Sequence, residues 1–187
     1  MSTEINLDRG KCLEILQEYT KGDGLLKHAY AVEACMMAYA ERYGENPDYW
    51  GNIGLLHDFD YEKYPTAEEH PYKGNEILAE KGFSDEFRDI IMSHADYTGV
   101  PRDSLIKRTL FAVDELAGFI TAVTLVRPNK DLDEVKVKSV KKKLKDKAFA
   151  KSVSREDINK GPEELGVSLE EHIQFCIDAM RKAKDRL

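Results

Sequence analysis

Six side chains of the kinds that bind metal ions, His28, His57, Asp58, His70, His94 and Asp114, stand in the first two thirds of the 187-residue chain, and of its five histidines only His172 lies outside the set. Five of the six stand in or beside stretches that otherwise read as apolar helix, where burying an ionisable group is costly unless it is paired or bound to a cation. That placement implies one internal metal site. Its densest part is Asn52-Ile53-Gly54-Leu55-Leu56-His57-Asp58, an apolar helical end that delivers an imidazole and a carboxylate side by side. These two ligand types are shared by zinc, iron and manganese sites. Asp114, within Leu110-Phe111-Ala112-Val113-Asp114-Glu115-Leu116, would need a cation, several donors or a buried arginine if it points inward. His70 is weaker by itself, because beside Pro71 it also reads as a solvated capping residue.

Periods near 3.6 dominate the chain and β-type alternation is nearly absent, so the elements that must position these groups are helices and the fold is expected to be all-α. A first helix is expected over Leu7 to Tyr19, ended by Gly22-Asp23-Gly24. A second runs from about Leu25 to Tyr43 with His28 in its first turn, and a third from Pro47 to His57 and Asp58. Phe59 to Glu69 reads as a loop. Pro71 is expected at the first position of the next helix, and Ser84 caps another in which His94 falls one turn after Ile90. A strong helix from Ser104 to Val126 carries Asp114, before Arg127-Pro128 breaks it. A basic helix near residues 136–148, a segment over Arg155 to Leu165 and an amphipathic helix from Ser168 complete the chain.

Composition agrees with one globular domain spanning residues 1–187, whose motif region covers about 25–120 and whose basic helical extension covers about 135–187. Apolar residues make up 42% and charged residues 34%. The mean hydropathy of -0.53 comes with no apolar run near the length of a membrane span. An acidic, mixed start without a secretory pattern gives a cytoplasmic expectation. Cys12, Cys35 and Cys176 are widely spaced in helical apolar patterns and read as reduced core thiols.

The net charge of -7 is unevenly spread: residues 1–134 hold 14 basic and 26 acidic side chains, residues 135–187 hold 14 and 9. Most of the positive excess lies in Lys136 to Lys147. Because Val137, Val140, Leu144 and Ala148 recur at helical spacing, that run reads as the solvated face of an amphipathic helix. With Arg155 it could also fold back as a phosphate-attracting rim. A nucleic-acid partner is not favoured, since no binding motif accompanies the run.

The order His28, then His57-Asp58, then Asp114 resembles the motif of the HD-domain superfamily of metal-dependent phosphohydrolases, in its small single-domain, HDIG-like branch. His70 and His94 are similar to the additional histidines of HD proteins that hold two metals, among them cyclic-dinucleotide phosphodiesterases and diiron oxygenases. Glu62-Lys63-Tyr64-Pro65 follows Asp58 where the phosphodiesterase branch carries Gly-Tyr-Pro, which speaks against cyclic-dinucleotide turnover.

The resemblance implies an HD-domain helical bundle with a divalent metal, as one or two ions of manganese, iron, zinc, nickel, cobalt or magnesium. His28, His57 and Asp114 would bind one ion, His70 and His94 a second, and Asp58 would bridge and serve as the catalytic residue. The implied activity is hydrolysis of a phosphoester of a small molecule, nucleotides included, by metal-activated water, as a phosphomonoesterase or phosphodiesterase. With one ion, Asp58 would position the water, and His70 and His94 would meet substrate or transfer protons. A diiron oxygenase using the same six ligands and a non-catalytic regulatory or binding module stand as alternatives. Lys63, Lys73 and Arg127 are the candidate substrate-binding cations, while Tyr61, Tyr64 and Tyr97 read as packing residues. The expected partner is a small phosphorylated substrate, with no membrane, and a homo-oligomer is compatible with the sequence.

Overall fold

The computed structural model describes residues 8–187, and among them the chain forms α-helices and short 3-10 turns with no strand. The all-α expectation is met. The helices are α1 Arg9–Tyr19, α2 Asp23–Tyr43, α3 Pro47–Leu56, α4 Tyr72–Glu80, α5 Asp85–Met92, α6 Leu105–Leu125, α7 Val137–Leu144, α8 Arg155–Leu165 and α9 Leu169–Lys182.

Their starts are written in short polar side chains that take up the free N–H groups of a first turn. Asn46 accepts from the Asp48 and Tyr49 amides ahead of Pro47, and Ser84, Ser154 and Ser168 each accept from the amide three residues on. Gly44 and Gly166 end α2 and α8 in the left-handed conformation.

Four boundaries differ from expectation. The expected first residue of α1, Leu7, lies outside the described residues, and the helix begins at Arg9 because the Asp8 side chain caps it. Gly22-Asp23-Gly24 does not separate two helices: Gly22 caps α2, and Asp23 joins its first turn, where its charge suits the positive end of the helix. His28 therefore sits in the second turn. Pro71 precedes α4 as its cap, its carbonyl accepting from the Asn75 amide, and the His70-Pro71 peptide is cis. Finally, α5 stops at Met92, because Ser93 Oγ and His94 Nδ1 donate back to the Ile90 and Ile91 carbonyls, and His94 stands in the turn beyond.

The two 21-residue helices, α2 and α6, pack against each other. Around them α1, α3, α8 and α9 close a hydrophobic cluster that runs from Cys12 to Met180. Gly161 lets α8 lie directly on α6, since a Cβ there would come within 2.6 Å of the Ala112 Cα. Cys12, Cys35 and Cys176 are buried free thiols, as expected, and burial pushes the Cys12 thiol up to about 12, far from the reactive thiolate. His172 joins three helices: Tyr39 Oη of α2 lies 2.6 Å from its Nδ1, and its Nε2 lies 2.8 Å from the Ala112 carbonyl of α6. Among the described residues no helix is long and apolar enough to cross a membrane.

Candidate metal centre

All six sequence-identified side chains meet at one end of the α2, α3 and α6 packing. They form two overlapping sets, His28, His57, Asp58 and Asp114 on one side and Asp58, His70 and His94 on the other. In the first set His28 Nε2 lies 3.2 Å from His57 Nε2 and 3.1 Å from Asp114 Oδ1, and His57 Nε2 lies 3.3 Å from the same oxygen. In the second, His70 Nε2 and His94 Nε2 are 3.3 Å apart. Asp58 faces both. Its Oδ2 lies 3.4 Å from His57 Nε2 and 3.8 Å from His28 Nε2, while its Oδ1 lies 3.2 Å from the Nε2 atoms of His70 and His94.

The same local device orients two of these histidines. His57 and His94 both follow a short helix and both point Nδ1 at the carbonyl three residues earlier, Gly54 at 2.7 Å and Ile91 at 2.6 Å. A carbonyl can only accept, so each Nδ1 carries a proton, and each Nε2, the nitrogen left for a cation, is turned to the cluster. His70 is oriented by a carboxylate: its Nδ1 lies 2.8 Å from Asp60 Oδ1, and Asp60 Oδ2 accepts the Gly74 amide at 2.8 Å. Bare nitrogens gathered about 3 Å apart do not bond one another, but they suit ligands that each stand roughly 2.0–2.1 Å from a shared cation. The donor set therefore fits a divalent metal.

Charge in the cluster supports the same fit. Burial favours neutral forms, yet His57, His70 and His94 hold the Asp58 carboxyl well below the usual carboxylate range. His57 and His28 do the same for Asp114. Against the pull of its own burial, His57 is raised well above an ordinary histidine by Asp58 and Asp114, and His70 rises to about 9 beside Asp58 and Asp60. Two carboxylates in so enclosed a place demand positive charge, from protons or from a metal. The partners of Asp114 are histidines, so the arginine alternative is set aside.

A cavity of about 450 Å³ opens over the cluster, which explains why Asp58 stays 23% exposed while His57 is sealed. Tyr61, Tyr97 and Phe111 line it, as do Glu115, Asp157 and the turn at Ser152 and Val153. Tyr61 and Tyr97 are thus wall residues and not packing residues as expected, being 41% and 53% exposed, whereas Tyr64 does not line the cavity. Tyr97 also donates to the His70 carbonyl at 2.8 Å. Glu115, pushed up to about 7 by burial and by Asp114, accepts the Ser154 amide at 3.0 Å and so ties the C-terminal extension to the cavity rim.

None of the three expected substrate-binding cations lines the cavity. Lys63 lies over the Tyr19 and Tyr64 rings, Lys73 pairs with Glu76, and Arg127 donates to Ser139 Oγ near the far end of α6. Helix geometry explains the last case, since Arg127 follows Asp114 by more than three turns, roughly 20 Å along the axis. Among the described residues the cavity lining includes no lysine or arginine, and its charged walls are acidic. Asp60, which orients His70, was missed because a carboxylate in a loop looks solvated; its near-complete burial, at 1% exposure, is a tertiary fact.

A family model described as HD domain matches residues 25–118, half of the chain, and the match includes all six cluster residues. No curated protein and no solved structure matches.

Proposed function

The chain belongs to the HD-domain family, and from that premise we propose that it is a metal-dependent phosphohydrolase that cleaves a phosphoester of a small molecule. The observation that carries the proposal is the two-sided presentation of Asp58, one oxygen toward His28 and His57, the other toward His70 and His94. His28, His57 and Asp114 would hold one divalent cation, His70 and His94 a second, with Asp58 shared between them. Such cations, when bound, lower the pKa of a water toward about 7 and neutralise phosphoryl charge.

The chain's own residues supply orientation and enclosure. The backbone carbonyls of Gly54 and Ile91 and the Asp60 carboxylate fix which nitrogen of His57, His94 and His70 faces inward. Such outer partners keep ligands in place before a cation arrives. Asp58 is held as a carboxylate by the histidines around it and can orient a water or take its proton. Tyr61, Tyr97 and Phe111 offer ring faces and edges to the organic part of a substrate and narrow its access to solvent. The continuous hydrophobic cluster from α1 to α9 supports reading residues 8–187 as one domain.

Elemental analysis of anaerobically purified protein, paired with phosphate-release and oxygen-uptake assays, tests the proposal. About two ions per chain and phosphate released without oxygen consumed is the expected result. Oxygen consumption with iron bound and no phosphate released from any phosphoester would replace it with an oxygenase. His94→Ala is expected to retain the first ion and lose the second, and one ion per chain in both the parent and the variant would leave one ion as the correct count.

A further inference from the structure

Beside the metal cavity runs a second concavity of about 490 Å³, walled by Lys141, Lys145, Lys147, Lys151 and Arg155. Among the described residues it has no acidic lining residue, in a protein whose net charge is -7. Leu144 and Leu169 contribute an apolar floor, and Val153 belongs to both concavities, so the two share a wall. The groove lies wholly beyond residues 25–118, the part of the chain that matches the family. We infer that it is a second anion-binding site, which takes a phosphate or carboxylate at the far end of a substrate whose phosphoester lies at the metal cluster.

The inference rests on the phosphohydrolase proposal, and three observations support it. First, among the described residues the metal cavity has no lysine or arginine in its lining, so any anion on the substrate that reaches beyond the metal-binding histidines meets the carboxylate of Asp157 there. Like charges repel across a cavity wall, and a doubly anionic substrate is drawn to place its second charge over the lysines. Second, those lysines are available: Lys145, Lys147 and Lys151 form no ion pair with a described acidic residue, whereas Lys141 is engaged by Glu170.

Third, the backbone that carries the lysines is held in shape. The Arg155 guanidinium donates to the carbonyls of Asp146, Phe149, Ala150 and Val153 and lies over the Phe119 ring. Ala150 is kept at a φ of 42°, a left-handed conformation that a non-glycine residue adopts at a cost. Arg155 thus contributes charge and organises the turn while its two Nη groups are occupied by backbone carbonyls. The contacting groups would be the lysine ammoniums, which act as point charges on flexible stems.

Calorimetry on the metal-loaded full chain tests this with hydrolysis-proof probes: alkane-α,ω-bisphosphonates of graded length, each against the monophosphonate of equal length. At the length that spans the shared wall, the bisphosphonate should bind at least about ten-fold tighter, because its second anion is delivered at high effective concentration. That advantage should fall toward the statistical factor of about two in the triple variant Lys145→Gln, Lys147→Gln, Lys151→Gln. An advantage that is absent at every length, or that survives in the triple variant, overturns the inference. So does a groove that loses single-stranded oligonucleotide binding in the variant while no bisphosphonate advantage exists, since the surface would then serve nucleic acid. The phosphonates are read without turnover, so a clear advantage alongside no hydrolysis of any phosphoester would sink the phosphohydrolase proposal and still support the anion site.

Discussion

His57 and His172 are both fully buried, and their surroundings push them in opposite directions. Around His172, burial takes the pKa down to about 4, only partly offset by the Ala112 carbonyl. A neutral ring then satisfies both nitrogens, Nε2–H donating to Ala112 and Nδ1 accepting from Tyr39 Oη. Around His57, the carboxylates of Asp58 and Asp114 more than reverse the effect of burial. Burial by itself therefore makes a histidine a structural connector; adding carboxylates makes the place a cation site. The first arrangement is complete as it stands, whereas the second calls for positive charge.

The largest effect should come from taking away the carboxylate that separates the two environments. Asp58→Ala removes the residue that faces both histidine sets, and phosphate release is expected to fall about a thousand-fold or more with most of the bound metal lost. Its far-UV circular dichroism should match the parent, and full turnover in this variant would sink the site assignment. His172→Ala should do the reverse. It leaves the Tyr39 hydroxyl and Ala112 carbonyl without their partner and opens a cavity, so a stability loss of about 3 kcal/mol is expected with metal content unchanged. Urea denaturation and elemental analysis read the two quantities on the same preparation.

Acid sharpens the contrast. His172 titrates near 4 when folded and near 6.5 when unfolded, so below pH 6.5 the unfolded chain takes up a proton that the folded chain refuses. The stability associated with the neutral ring is complete above pH 6.5 and declines as pH falls toward 4, by roughly 3 kcal/mol in all. His172→Gln should flatten that part of the stability profile, and an unaltered acid slope in the variant would contradict the assignment.

A smaller change is expected from Asp60→Asn, which weakens the carboxylate partner of His70 without touching a ligand. Affinity for the ion held by His70 and His94 should drop about ten- to hundred-fold while the other ion is retained. Gly74→Ala offers an independent route to the same outcome, because its Cβ would lie 2.8 Å from the Asp60 carboxyl carbon and displace it. The smallest effects belong to Lys63→Ala, Lys73→Ala and Arg127→Ala. These side chains stand outside the cavity, and kcat/KM is expected to change by less than about two-fold, the ordinary yield of a surface charge.

Much of the site was legible before any folding was considered. Histidines and aspartates within otherwise apolar helical segments are costly unless they are partnered, and that cost made His28, His57, Asp58, His94 and Asp114 stand out. The caps at Asn46, Ser84, Ser154 and Ser168 and the stops at Gly44 and Gly166 are local chemistry and fall near where the pattern puts the helix ends. Asp60 carried no such signal, because nothing in a polar loop distinguishes a buried carboxylate from a solvated one. Tyr61 and Tyr97 were equally ambiguous, since aromatic residues serve cores and cavity walls alike.

Helical periodicity, ligand types and the all-α class were determined by the sequence alone, for each depends on residues a few positions apart. Which groups share a cavity was decided only by the tertiary structure. His28 and Asp114 meet across 86 positions because α2 packs on α6. The Ser152 and Val153 turn reaches the same cavity because α8 lies on α6 at Gly161 and Glu115 holds the Ser154 amide. The lysine run likewise became one wall of a groove through the way Arg155 folds its turn. Convergence of this kind depends on interhelical packing, and periodicity within one helix says which face is buried but not what lies opposite it.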